Sequence, residues 1–179
     1  MGRIVLVTGG ARSGKSAFAQ KLAESLTGRR AYVATGEPGD EEMRERIRKH
    51  RQARAGTQWD TIEEPVHLSR ALSLAARYDV VLVDCLTLWV SNVIHEGRPN
   101  GTDVNEEHMA ERCQDVLAAC DSHPGTVVFV TNEVGMGIVP ESALARLFRD
   151  LIGRCNQIIA AAADEVTLLS CGIPISLKG

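Results

Sequence analysis

Gly9-Gly10-Ala11-Arg12-Ser13-Gly14-Lys15-Ser16 is the stretch on which the fold turns. It fits G-x-x-x-x-G-K-[S/T] at every fixed position. An apolar run, residues 4–8, leads into it, and a helix-forming run, residues 17–23, leads out. Strand, glycine-rich loop and helix in that order define a phosphate loop. Glycines let the backbone curl until successive N–H groups face one anion. The helix start adds its own donors and the positive end of its dipole. Lys15 is then the catalytic point charge on the β- and γ-phosphates, and the Ser16 hydroxyl is a ligand for Mg²⁺. All eight residues, Gly9, Gly10, Ala11, Arg12, Ser13, Gly14, Lys15 and Ser16, are expected to touch nucleotide.

Outward from the loop, short apolar runs alternate with longer amphipathic stretches. Residues 4–8, 31–34, 80–84, 126–131 and 166–169 read as strands, and 173–177 as an edge strand after a turn at Gly172. Helical patterns lie near 15–27, 40–54, 66–77, 86–96, 104–121 and 140–163. The last has Pro140 and Glu141 as its start signal. Its apolar face is Leu144, Leu147, Phe148, Leu151, Ile152 and Cys155. Several strands are apolar throughout, as strands covered on both faces are. The pattern implies an α/β fold of the P-loop NTPase type, a mostly parallel central sheet flanked by helices. No linker or repeat divides residues 1–179, so one domain is expected, and 96–103 reads as a surface loop.

A nucleotide site needs an acid near its metal. Residues 78–84 are an apolar strand ending in Asp84, whose carboxyl end lies on the same rim as the phosphate loop. Asp84 is therefore a second candidate ligand for Mg²⁺, directly or through water. The competing reading makes it the cap of the helix that follows.

Residues 40–54 are acidic in the first turn and basic in the last, as a helix prefers. Met43, Ile47 and His50 fall on one face, which is the only apolar one. His50 then points inward or into a cleft, flanked by Arg46, Lys49, Arg51 and Arg54. On pattern alone it is either a packed histidine or a nucleophile toward phosphorus, its pKa lowered by those cations. His67, His95, His108 and His123 show no metal-ligand spacing.

Composition bounds the rest. The chain of 179 residues carries 20 Lys plus Arg against 23 Asp plus Glu, a net charge of -3, which argues against a nucleic-acid or anionic-membrane binder. Aromatic residues are only 4%, too few for stacking platforms on single strands. No apolar run approaches the roughly 18–20 residues of a membrane span, and the N-terminal run is too short for a secretory signal. The five cysteines, Cys85, Cys113, Cys120, Cys155 and Cys171, form no C-x-x-C pair and read as reduced thiols of a cytoplasmic core.

The chain also resembles a known family. The residues that carry the likeness are 8–16, Arg46-Ile47 ahead of His50-Arg51, and Thr131-Asn132-Glu133-Val134-Gly135-Met136-Gly137-Ile138-Val139-Pro140. Arg149-Asp150, Gly153-Arg154-Cys155-Asn156-Gln157 and 160–164 continue it. These are similar to the bifunctional adenosylcobinamide kinase/adenosylcobinamide-phosphate guanylyltransferases of cobalamin biosynthesis. The phosphate loop alone is shared with many NTPases, whereas the 131–140 segment is far more restrictive.

The resemblance implies phosphorylation of adenosylcobinamide by ATP or GTP. It then implies transfer of GMP from GTP to that phosphate, giving adenosylcobinamide-GDP and pyrophosphate. It also implies that His50 carries GMP covalently, and that Ala34, Thr35, Gly36, Arg51, Gln52, Ala53, Arg54 and Glu63 contact nucleotide beside Asp84. It implies a homotrimer. Against it stand a simple P-loop small-molecule kinase without the nucleotidyl step, and a nucleotide-driven regulator. A regulator needs switch loops or partner-binding extensions, and none is evident.

Overall fold

The computed structural model describes residues 2–37, 39, 41, 44, 45, 48, 58–97 and 104–179. The order is β1 (Arg3–Gly9), α1 (Lys15–Ser25), β2 (Arg30–Ala34), β3 (Trp59–Glu63) and α2 (Leu68–Leu74), which tightens into one 3₁₀ turn (Ala75–Arg77). Then come β4 (Val80–Asp84), α3 (Leu86–Gly97), α4 (Glu106–Asp121), β5 (Thr126–Val130), α5 (Ala143–Ala162), β6 (Glu165–Ser170) and β7 (Ile173–Lys178).

The strands form one sheet in the order β3-β2-β4-β5-β1-β6-β7. Every neighbouring pair is parallel except β6–β7. Alternation along the strands sends side chains to opposite faces. Val5, Val7, Val80, Leu82, Val128 and Val130 pack on one face with Ala19 and Ala23 of α1. Ile4, Leu6, Val81, Val83, Val127 and Phe129 pack on the other, under α2 to α5. Burying each such side chain contributes about 1.5–3 kcal/mol, so these central strands anchor the fold. Small alanines on the buried side of α1 let it lie close to the sheet, which fixes where its first turn sits.

The expected α/β fold with a mostly parallel sheet is what forms. The departures are local. β3 was not among the expected strands. Its residues Trp59-Asp60-Thr61-Ile62-Glu63 contain only two large apolar side chains and stay half-buried or exposed, because β3 is the outer strand. α5 begins at Ala143 and not at 140: Ser142 caps it, and the Arg146 guanidinium holds the carbonyls of Pro140 and Glu141 at 2.9 and 2.6 Å, ahead of the first turn. Four cysteines are buried as expected, but Cys171 is exposed, in the tight turn between β6 and β7. Most of the helix expected over 40–54, and 98–103 of the expected loop, lie outside the described residues.

Candidate functional site

The parallel strands all end on one rim. Gly9 ends β1, Ala34 ends β2, Glu63 ends β3 and Asp84 ends β4. Ala34 stands opposite both Glu63 and Asp84, and Asp84 stands opposite Val130 of β5. One strand, β5, separates Asp84 from the strand that carries the phosphate loop.

The loop itself has the curl its glycines permit. Gly14 is the residue ahead of α1, with φ 91°, and Arg12 has φ 57°. A Cβ on Gly9 would lie 2.5 Å from the Leu169 carbonyl oxygen and 2.7 Å from Ser13 Oγ, so no other residue fits there. The loop is tied from three sides. The Glu133 amide donates to the Gly9 carbonyl at 3.2 Å, and the Gly172 amide donates to the Ser13 carbonyl at 3.0 Å. Lys15 Nζ crosses the loop to the Gly10 carbonyl at 3.1 Å. Lys15 and Ser13 are buried, Ser16 is half-buried, and Gly10, Ala11, Arg12 and Gly14 are exposed. The first amides of α1 lack partners within the helix and sit beside this cation, so the loop is built to receive an anion.

A second sign is where polar atoms go unsatisfied. Among the described residues, the buried side-chain oxygens of Thr8, Ser13 and Asn132 have no hydrogen-bond partner. Buried orphans are scarce in folded proteins and ask for an explanation. All three sit around the phosphate loop: Thr8 just ahead of it, Ser13 within it, and Asn132 next to the amide that holds Gly9.

Asp84 is half-buried on the rim, and the buried Tyr32 hydroxyl donates to its Oδ2 at 2.7 Å. Tyr32 is in turn held edge-on by Trp59, ring centroids 6.2 Å apart. The helix-cap reading of Asp84 places it one residue too early: Cys85 flanks α3 and its carbonyl accepts the Trp89 amide at 3.1 Å. A hydroxyl from Ser16 and a carboxylate from Asp84 are the hard oxygen donors that Mg²⁺ takes. Thr35 is completely buried. Its hydroxyl donates to the Cys85 carbonyl and accepts the Cys85 amide, both at 2.7 Å, which braces the chain next to Asp84. Ala34 and Gly36 are half-buried beside it, and Glu63 is exposed at the end of β3. His50, Arg51, Gln52, Ala53 and Arg54 lie outside the described residues.

The segment after β5 is wired into the same rim. Thr131 Oγ1 donates to Asn156 Oδ1 at 2.7 Å, Asn156 Nδ2 donates to the Asn132 carbonyl at 3.0 Å, and the Asn132 amide donates to Thr87 Oγ1 at 2.8 Å. Tyr32 and Thr87 were not expected as site residues. Their partners are distant in sequence, and no local motif announces a contact across strands. His123 is buried too, its Nδ1 accepting the Gly125 amide at 3.0 Å while its Nε2 meets the Ala75 carbonyl at 3.1 Å. It is a packed histidine at the far end of the sheet, ahead of β5.

A parallel sheet, a glycine loop opening a helix and an acid on the neighbouring rim place the molecule in the class of P-loop α/β proteins. Comparison narrows the class. The family model for cobinamide kinase / cobinamide phosphate guanyltransferase matches residues 5–177. The chain is 44% identical over 182 residues to the bifunctional adenosylcobalamin biosynthesis protein CobU of Escherichia coli K12, covering 98% of this chain and 99% of that one. It is 43% identical to the CobU of Salmonella typhimurium, with the same coverage. To the bifunctional adenosylcobalamin biosynthesis protein CobP of Pseudomonas aeruginosa it is 41% identical, over 97% of this chain and 96% of that one. The chain belongs to the cobinamide kinase / cobinamide phosphate guanyltransferase family.

Proposed function

We propose that this chain is a bifunctional enzyme of adenosylcobalamin biosynthesis that works at the rim described above. In the first reaction the aminopropanol hydroxyl of adenosylcobinamide attacks the γ-phosphorus of ATP or GTP. The new O–P bond replaces the bridging bond to the β-phosphate, and the nucleoside diphosphate leaves. Little covalent work falls to the protein here, so positioning and charge neutralisation carry the step. Lys15 leaves the Gly10 carbonyl for the phosphates, and the loop amides bind the same oxygens. Ser16 and Asp84 would hold Mg²⁺, which when bound would neutralise the phosphate charge.

In the second reaction a neutral nitrogen of His50 attacks the α-phosphorus of GTP and pyrophosphate leaves. A phosphate oxygen of adenosylcobinamide phosphate then displaces the imidazole, giving adenosylcobinamide-GDP. Arg51, Gln52, Ala53 and Arg54, with Ala34, Thr35, Gly36 and Glu63, line the nucleotide site in this reading. Residues 1–179 act as one cytoplasmic domain and assemble as a homotrimer.

The observation that carries the proposal is the formed phosphate loop, tied through Glu133 to the 131–140 segment, in a chain of this family. The test uses two labels on His50→Ala. Label from γ-labelled ATP should still reach adenosylcobinamide. Label from α-labelled GTP should reach wild-type protein in an acid-labile, alkali-stable bond, and should reach neither the mutant protein nor its product. Persistent α-label on the mutant would assign the carrier to another residue, and the absence of any label on the wild type would leave the simple kinase.

A further inference from the structure

We propose that Tyr32 is a positioning residue for the metal, setting the plane of the Asp84 carboxylate, an inference that rests on the function proposed above. Two rows of side chains bring Ser16 and Asp84 to the same place. Val80 and Leu82 of β4 pack with Ala19 and Ala23 of α1. Asp84 lies two residues beyond Leu82, so strand alternation sends it to that same face of the sheet. Ser16 lies three residues ahead of Ala19 and seven ahead of Ala23, so helical spacing puts it in line with them. α1 starts at the rim where β4 ends, and its last carbonyls are held at the opposite rim by the Arg30 guanidinium, at the start of β2. The helix therefore runs counter to β4, and both rows end on their oxygen donors at the phosphate rim.

Tyr32 belongs to the same face. It is buried with Val80 and Leu82, stands opposite Leu82 in the pairing of β2 with β4, and its hydroxyl donates to Asp84 Oδ2 at 2.7 Å. The ring has its own brace, because Trp59 of β3 meets it edge-on at 87°. Trp59 is fastened in turn. Its Nε1 donates to Glu24 Oε1 at 3.2 Å, and Gln20 Nε2 donates to the same oxygen at 2.8 Å. Ser16, Gln20 and Glu24 all belong to α1. One helix thus carries one oxygen donor in its first turn and, through Trp59 and Tyr32, braces the other from its last.

The metal gives this brace a purpose. Mg²⁺ takes hard oxygens in a near-ideal octahedron, so a carboxylate that swings at a strand end would hold it poorly. A hydrogen bond at Oδ2 fixes the carboxylate plane. An ionised carboxylate has two oxygens and about four acceptor positions, so a hydroxyl on Oδ2 is compatible with a metal on Oδ1. The donor is also neutral. It orients the carboxylate without cancelling the charge that attracts a cation, as an arginine or lysine in its place would. A buried tyrosine hydroxyl needs only some acceptor. What separates positioning from packing is whether Tyr32 acts through Asp84.

The experiment is Mn²⁺ binding to the full chain, followed by the electron paramagnetic resonance of the free ion. The nucleotide is a GTP analogue with a methylene in place of the α,β-bridging oxygen, which cannot release pyrophosphate, and its own affinity is measured in EDTA. Tyr32→Phe keeps the ring and its contact with Trp59. It should raise the Kd of Mn²⁺ for the protein–nucleotide complex on the order of tenfold, while nucleotide affinity in EDTA holds. Asp84→Ala should raise that Kd as well. Adding Tyr32→Phe to Asp84→Ala should change nothing further, because the hydroxyl then has no carboxylate to set. Three results each overturn the role of Tyr32 and leave the proposed function standing: unchanged Mn²⁺ affinity in Tyr32→Phe, effects that multiply in the double variant, or an equal loss of nucleotide affinity in EDTA. Unchanged Mn²⁺ affinity in Asp84→Ala removes Asp84 from the metal site of the proposed function, and the role of Tyr32 falls with it.

Discussion

Replacing Thr35 by valine keeps the volume of the side chain and deletes one hydroxyl. In the native structure that hydroxyl is shut away from water, donating to the Cys85 carbonyl and accepting the Cys85 amide. The carbonyl keeps a second partner in the Trp89 amide, so its loss is partial. The Cys85 amide loses its hydroxyl acceptor, and an orphaned buried donor costs about 1–3 kcal/mol. With the weakened carbonyl the sum is about 2–3 kcal/mol. At roughly 2–4 °C per kcal/mol for a domain of this size, the melting temperature should fall by about 4–12 °C. Thr35→Ser keeps the hydroxyl and loses a methyl group, so it should cost only about 1 kcal/mol. Thermal melts of the three proteins, followed by circular dichroism, decide the matter. The reasoning is refuted if Thr35→Val melts with the wild type, or if serine is as damaging as valine.

Other substitutions test the site more directly. Lys15→Ala should lower kcat/KM of both the kinase and the guanylyl assay by about 2–4 kcal/mol, roughly 30- to 900-fold, and near-normal turnover in either would break the shared-site reading. Asp84→Asn should raise the Mg²⁺ needed for half-maximal turnover on the order of tenfold, whereas an unchanged requirement would remove Asp84 from the metal site. Burial, reinforced by the Asp84 carboxylate, pushes the Cys85 thiol up from 9.0 to about 11. The native state thus keeps a proton that the unfolded chain releases, so stability is intact below pH 9 and falls as pH climbs from 9.0 toward about 11. Urea midpoints across that window should show this slope, and Cys85→Ala should lessen it without abolishing it, because the buried thiols of Cys120 and Cys155 are raised above 9.0 as well.

Local patterns were readable in the sequence and contacts at a distance were not. The phosphate loop is a contiguous run in which every residue type has its own reason, and the apolar strands β1, β4 and β5 announce themselves by continuous burial. β3 could not be read that way, since an outer strand needs little apolar surface and Trp59–Glu63 supplies little. The start of α5 was misplaced because Pro140 is a good opening residue, yet Ser142 is the better cap and Arg146 ties down what precedes it. At the site, Tyr32 reaches Asp84 across 52 positions and Thr35 reaches Cys85 across 50. Parallel pairing of β2 with β4 creates both contacts, and no motif spans that separation.

The ties on the phosphate loop bear on how nucleotide binding divides between heat and disorder. Glu133, Gly172 and Lys15 already hold Gly9, Ser13 and Gly10 in place. A triphosphate therefore meets a loop whose backbone freedom is largely spent, and little ordering entropy remains to be lost there. The lysine contact is exchanged, not gained: one bond to a neutral carbonyl is given up for a stronger one to a charged oxygen. Calorimetry of GTP binding should accordingly show an enthalpic gain set by that difference, with a small entropic penalty from the loop itself.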